Sequence, residues 1–330
     1  MDMIVTVISN IFIMFAFILI GFTLRRKGIL SGESTAGITF ILLKIAIPAT
    51  IITATTSQPF DTARLGNMGI MLGMTVLFFV VFTVIGWWIA KLLRLPANRQ
   101  GVFAISATFS NVAFMGIPII SAIWGNAGVF YLSLVNIPFF VGLSIASSLL
   151  LREERWHAVG VSAQKPRKKF KLELNIAISI LGLLLYLSQD IIPVPVLHFI
   201  RPTVIDGVGG GVLGRLITQL HQLTTPISMF VIGSSLGDSK LSDTPKDLSI
   251  FAMLGVSLLL FPLIAFFSTG FITDETLRGV LVLKTAMPTA TLVAIFAEQR
   301  KADGLFASQL VFLSTVVSLL TIPLISLLLG

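Results

Sequence analysis

Two stretches of this chain set a lysine, a proline and hydroxyls among apolar neighbours. Residues 283–291 read LKTAMPTAT, and residues 43–50 read LKIAIPAT. In each, the lysine stands four residues before the proline, whose ring removes the N–H that a helical lysine carbonyl would accept. Pro288 therefore frees the carbonyl of Lys284, and Pro48 that of Lys44. Thr285, Thr289 and Thr291 add hydroxyls to the stretch at 283–291. A lysine at mid-membrane costs about 2.5–3.5 kcal/mol on insertion scales, so it needs a partner or water. No acid lies deep in the apolar spans, and Glu298 is about 21 Å further along the helix axis from Lys284. A buried cation without a built-in anion suits a substrate carboxylate. A lysine that snorkels or rests in a water cavity accounts for the same pattern, so both readings stand for Lys284 and for Lys44.

A third polar stretch, residues 107–128, reads ATFSNVAFMGIPIISAIWGNAG. Pro118 cannot donate to the carbonyl of Phe114, and Gly116 weakens the same turn, so a helix is expected to break there. Broken helices expose backbone dipoles that lipid cannot satisfy, so the break must face protein or water. Ser110 and Asn111 bring a hydroxyl and an amide to it. Breaks at matching places in two halves mark a midplane binding site, and half-helix N-termini suit an anionic group. A simple kink is the alternative, and for Pro138, Pro262 and Pro323, which have no polar company, it is the better reading. His221, in HQLTTP before Pro226, reads either as a proton-linked group or as a hydrogen-bonded histidine lining the helix.

Other chemistries lack their residues. The chain has no cysteine and three separated histidines, His157, His198 and His221. This gives no metal-ligand spacing, no metal site and no thiol chemistry. No nucleophile–base set or aspartate pair falls within the spans, so no enzyme and no cofactor is expected. Sodium coupling would need clustered acids, carbonyls and hydroxyls; without intramembrane Asp or Glu near the breaks, uniport or proton coupling is the stronger expectation, with sodium coupling, a channel or a non-transporting sensor as alternatives.

The elements that must position these residues follow from composition. The 330-residue chain is 55% hydrophobic and 12% charged, about half the charge of a soluble domain. It reads as an all-α integral membrane protein. About ten spanning helices are expected, at 4–24, 34–56, 67–91, 99–122, 127–151, 173–192, 212–236, 247–271, 276–297 and 304–328. Its N-terminal segment reads as the first span rather than as a signal peptide. Seventeen of the 23 Lys and Arg residues fall in the loops after odd-numbered spans and four in loops after even-numbered ones. Positive charge marks the cytoplasmic side, so both termini are expected outside, in a multi-pass protein of the cell (inner) membrane. The same bias accounts for the net charge of +8 without nucleic acid. The mid-chain basic loop reads as a topology-fixing linker, and its cluster could also meet anionic lipid.

The halves on either side of that loop match weakly. With Gly101 set on Gly279, Ser110 falls on Pro288 and Asn111 on Thr289. Gly128, Phe130, Leu134 and Val135 fall on Gly304, Phe306, Leu310 and Val311. Two five-helix repeats, 1–151 and 173–330 around a cytoplasmic loop at 152–172, would be inverted, because five is odd.

SNVAFMGIPI (110–119), MPTATLVAIFAE (287–298) and STVVSLLTIPL (314–324) resemble the auxin efflux carrier family, over essentially the whole chain. That family includes bacterial malonate- and malate-type carriers and, more distantly, plant PIN-formed auxin exporters. The resemblance implies a fold similar to bile acid–sodium symporters, with a scaffold domain (helices 1, 2, 6 and 7) and a mobile transport domain (helices 3–5 and 8–10) in which helices 4 and 9 break and cross. It implies a secondary transporter of small organic anions working by alternating access, with Asn111, Gly116, Pro118 and Pro288 on the crossover, and a homodimer through the scaffold. The mid-chain loop is about 20 residues, against a long one in the plant members, so regulation through that loop is not carried over.

Overall fold

A computed structural model of the chain describes residues 2–158, 174–189, 191–192, 196, 210–238, 247–300 and 302–329. The basic cluster from Lys165 to Lys171, together with His198 and Arg201, lies outside them. The helices in chain order are α1 (Asp2–Arg26), α2 (Gly32–Ile41), α3 (Ile47–Thr56), α4 (Thr62–Leu92), α5 (Ala97–Thr108), α6 (Ile117–Ala158), α7 (Leu174–Leu187), α8 (Val212–Gln222), α9 (Thr224–Asp238), α10 (Leu248–Gly255), α11 (Phe261–Ser268), α12 (Glu275–Thr285), α13 (Thr291–Gln299) and α14 (Gly304–Leu327).

The helices carry apolar side chains outward as well as inward. Trp88, Leu149, Phe267 and Leu320 are all exposed, an arrangement suited to lipid and not to water. Among the described residues, five helical stretches are long and apolar enough to cross a bilayer: Gly32–Thr56, Arg64–Leu92, Val112–Leu151, Leu248–Ser268 and Gly304–Leu327, with Leu174–Leu187 a shorter apolar helix. The protein is an all-α integral membrane protein. The ninth expected span falls short of a full crossing because it is broken. Half-helices α12 and α13, with 11 and 9 residues, reach about 17 and 14 Å, well under the ~30 Å of the hydrocarbon core. The seventh is likewise divided, at Leu223 between α8 and α9. Inside α6, Gly125 takes φ 56 and ψ −144, a left-handed turn where a Cβ would be strained.

Three wide π turns interrupt the helices, at Leu42–Ala46, Val112–Gly116 and Val256–Leu260. Each ends two residues before a proline: Pro48, Pro118 and Pro262. A proline cannot donate to the carbonyl four residues back and clashes with it. Widening the preceding turn gives the ring room and lets the backbone bond i→i−5 instead, as Ile47 N–H does to Leu42 and Phe261 N–H to Val256. This corrects the expected break at Gly116 and Pro118. Gly116 closes a π turn and Pro118 lies in the first turn of α6, both buried; the helix continues through them.

The chain divides into two compact units, one of Met1–Ile70, Ala113–Ile137 and Glu173–Leu241, the other of Met71–Val112, Pro138–Leu172 and Ser242–Gly330. In the first, α1 and α9 pack at backbone distance. A Cβ on Gly233 would strike the Ile18 carbonyl, and one on Gly21 the Phe230 carbonyl, which is how small residues bring membrane helices together. Thr35 and Ser234 join α2 to α9 by a 2.8 Å hydroxyl pair. In the second unit, Gly86 lies on Ala104 and Gly101 on the Leu150 carbonyl, and Phe82 stacks on Phe261 with centroids 4.2 Å apart.

Candidate functional site: a bridge between two interrupted helices

Within the second unit two apolar spans leave helical geometry part-way. After α5, Phe109 is extended (φ −95, ψ 99). After α12, Ala286 to Ala290 run non-helical into α13. The two extended pieces meet as an isolated antiparallel bridge between Ser110 and Thr289. Asn111 N–H donates to the Pro288 carbonyl at 2.6 Å, and Ala290 N–H donates to the Phe109 carbonyl at 2.9 Å. Exchanging Ser110 with Thr289 turns each of these bonds into the other. The local partner of Ser110 is thus Thr289, one place from the register that sets Gly101 on Gly279.

Side chains complete the exchange. A helix ends with carbonyls that have no partner, and apolar surroundings offer none. Ser110 Oγ donates to the carbonyl of Lys284 at 2.6 Å, the group freed by Pro288. Thr289 Oγ1 donates to the carbonyl of Ser106, in the last turn of α5, at 2.8 Å. Each broken strand therefore caps the helix end of the other. Thr285 Oγ1 donates to the Val282 carbonyl, and Ser314 Oγ of α14 accepts from Thr289 N–H. Ser110, Asn111, Lys284, Thr285, Pro288 and Thr289 are all buried, whereas Thr291 is exposed at the start of α13.

Lys284 is 2% exposed. Its ammonium lies 4.9 Å from the centre of the Phe79 ring and 5.7 Å from that of Phe78. Arg99 pairs with Asp247 and Asp303, and Lys284 takes part in no ion pair among the described residues. Phe79 also stacks on Phe109 at 4.8 Å, and both meet Phe139. The α13 N-terminus has no side-chain cap, so its first amides present a positive end.

The remaining expected residues belong to the first unit. Lys44 is exposed within the π turn before Pro48, where its twin Lys284 is enclosed. His221 is half-buried, its Nδ1 3.1 Å from Thr50 Oγ1. Thr50 donates to the Ala46 carbonyl and pairs with Thr224 at 2.7 Å. Gly116 and Pro118 also lie in this unit. No group of three or more candidate metal ligands occurs among the described residues. Sequence reasoning passed over the Phe78–Phe79 pair, because LFFVVF looks like any apolar run. It also missed Ser314, whose only signal is a hydroxyl opening STVVSLL.

A family profile described as membrane transport protein matches residues 6–326. The chain belongs to this auxin efflux carrier-type membrane transport family. An uncharacterized transporter of Methanothermobacter thermautotrophicus (strain Delta H) is 24% identical over 322 residues, 93% of each chain. As a member of the membrane transport family, the protein is a multi-pass membrane transporter, and the buried Ser110–Thr289 bridge lies inside the region the family covers.

Proposed function

We propose that the protein is a secondary transporter of small organic anions, mono- or dicarboxylates, working by alternating access as a uniporter or with protons. One observation carries this reading: Lys284, a buried cation with no ion pair among the described residues, stands one turn before the break in the ninth span. A substrate carboxylate would supply the missing charge, and the uncapped start of α13 would favour the same sign. Ser110, Asn111, Thr285 and Thr289 surround that position, with Pro288 holding the strand open. In this reading about ten spans form two inverted repeats, helices 3–5 and 8–10 move against a scaffold of helices 1, 2, 6 and 7, and both termini face outward in the cell membrane. Two copies would associate through the scaffold. Lys44 and His221 are secondary candidates, His221 for proton linkage.

The test is uptake into proteoliposomes of labelled malonate, malate and acetate, with and without pH and sodium gradients. Saturable, exchangeable uptake that ignores sodium is expected. Sodium-dependent uptake would instead make the protein a symporter, non-saturating flux a channel, and binding without flux a sensor. Lys284→Ala is expected to abolish uptake while the protein remains folded in detergent; normal uptake by that variant removes Lys284 from the mechanism.

A further inference from the structure

A buried ammonium cannot simply wait for its substrate. Desolvation without compensation is costly, and among the described residues the neighbours of Lys284 Nζ are two ring faces on α4. The negative face of a phenyl ring attracts a cation, and more strongly when both are desolvated. That is enough to hold the ammonium, yet weak enough for a carboxylate to outcompete. Phe79 is the closer ring, and it is fixed in place. It is buried, it stacks on Phe109, the first extended residue of the break, and it meets Phe139 edge-on. Gly142 leaves room for both Phe79 and Phe109; a Cβ there would stand 3.3 Å from Phe109.

We propose that Phe79, assisted by Phe78, is a positioning residue: its ring serves as the stand-in counter-group for Lys284 in the empty carrier and yields the ammonium to the substrate carboxylate on loading. The inference rests on the anion-carrier reading above. It makes the ring's electron density, more than its size, a determinant of affinity. Weakening the resting contact while keeping the ring's shape removes a competitor of the substrate, so the anion binds more tightly.

The experiment places phenylalanine analogues with one, two and three ring fluorines at position 79 and measures proteoliposome uptake of malonate, malate and acetate beside wild type and Lys284→Ala. Apparent KM is expected to fall stepwise with fluorination, by about fivefold at three fluorines, the loss of roughly 1 kcal/mol of ring–cation attraction. Phe79→Leu, which removes the ring altogether, should disturb the Phe109 stack and reduce the maximal rate as well. A packing role alone would leave KM flat across the fluorinated series. If KM is flat while Lys284→Ala is inactive, this inference fails and the anion-carrier reading stands. If Lys284→Ala transports normally, or wild type takes up none of the three acids, both fail.

Discussion

Ser110 and Thr289 are short hydroxyl side chains with an outsized duty. Each closes a carbonyl that the other strand's helix cannot use. Ser110→Ala leaves the Lys284 carbonyl buried and unpaired, at a cost of about 1–3 kcal/mol; Thr289→Val does the same to Ser106. Both are expected to lower the melting temperature in detergent and to slow uptake. Because the two bonds hold one crossing, the double variant should lose less than the sum of the singles, which a double-mutant cycle on melting free energies will read. The lysine and threonines of LKTAMPTAT were legible as a polar insertion in an apolar run. The resemblance brought helices 4 and 9 together, but nothing near residue 110 or 106 announces which carbonyl each hydroxyl would meet. The aromatic faces over Lys284 were hidden for another reason, since a phenylalanine that cradles a cation and one that faces lipid are the same letter.

At the scale of helices, proline does two different things here. Before Pro48, Pro118 and Pro262 a π turn absorbs the ring and the helix continues. At Pro288 the chain leaves helical geometry and pairs with another strand. Pro288→Ala restores a donor that would compete with Ser110 for the Lys284 carbonyl, so α12 is expected to lengthen and uptake to drop sharply. Pro262→Ala should leave uptake near wild type, because the turn can relax to ordinary α geometry; parallel uptake assays and circular dichroism check both. This is also why the first break was misplaced by the sequence reading. Gly116 and Pro118 are the local helix breakers, but the helix is already interrupted at Phe109, where pairing with residues 288–290 outweighs local propensity. A second helix-level device joins three N-termini. Arg99 bonds Asp247 at 2.7 Å and Asp303 at 2.8 Å, the N-caps of α10 and α14. Asp247 lies just outside the apolar span. Its burial opposes ionisation, but hydrogen bonds from Ser249 and the charge and hydrogen bond of Arg99 outweigh this and hold the carboxyl below its usual range. Its stabilising contribution is therefore complete above the unfolded carboxylate pKa of about 4 and is lost as pH falls through the lower folded value. Melts between pH 7 and pH 3 should show that loss, and Asp247→Asn should flatten it.

For the whole molecule, the apolar runs made the all-helical membrane class readable at once, because composition alone excludes a water-soluble exterior. Each of the two compact units draws residues from three separate parts of the chain, an interleaving that composition and periodicity alone do not announce. Orientation is open to a direct measurement. The chain has no cysteine, so each introduced cysteine reports alone. Cysteines at Gly28 and Leu95 should react with impermeant maleimide from the cytoplasmic side, and one at Ser57 from the outside; the reverse pattern would overturn the outward placement of the termini.

The reciprocal caps also bear on how the protein is made. Ser110 and its acceptor are 174 residues apart, and Thr289 and its acceptor 183. A ribosome delivering the chain N-terminus first must insert α5 long before α12 and Thr289 exist. Until then the last turn of α5 lacks the hydroxyl that will close it, and apolar surroundings penalise that vacancy. The first break is thus a half-made joint during synthesis, held helical or hydrated until the later one arrives. Truncation of the chain before Thr289 should leave an N-terminal fragment that inserts but stays open to degradation, while co-expression of the missing C-terminal piece should protect it.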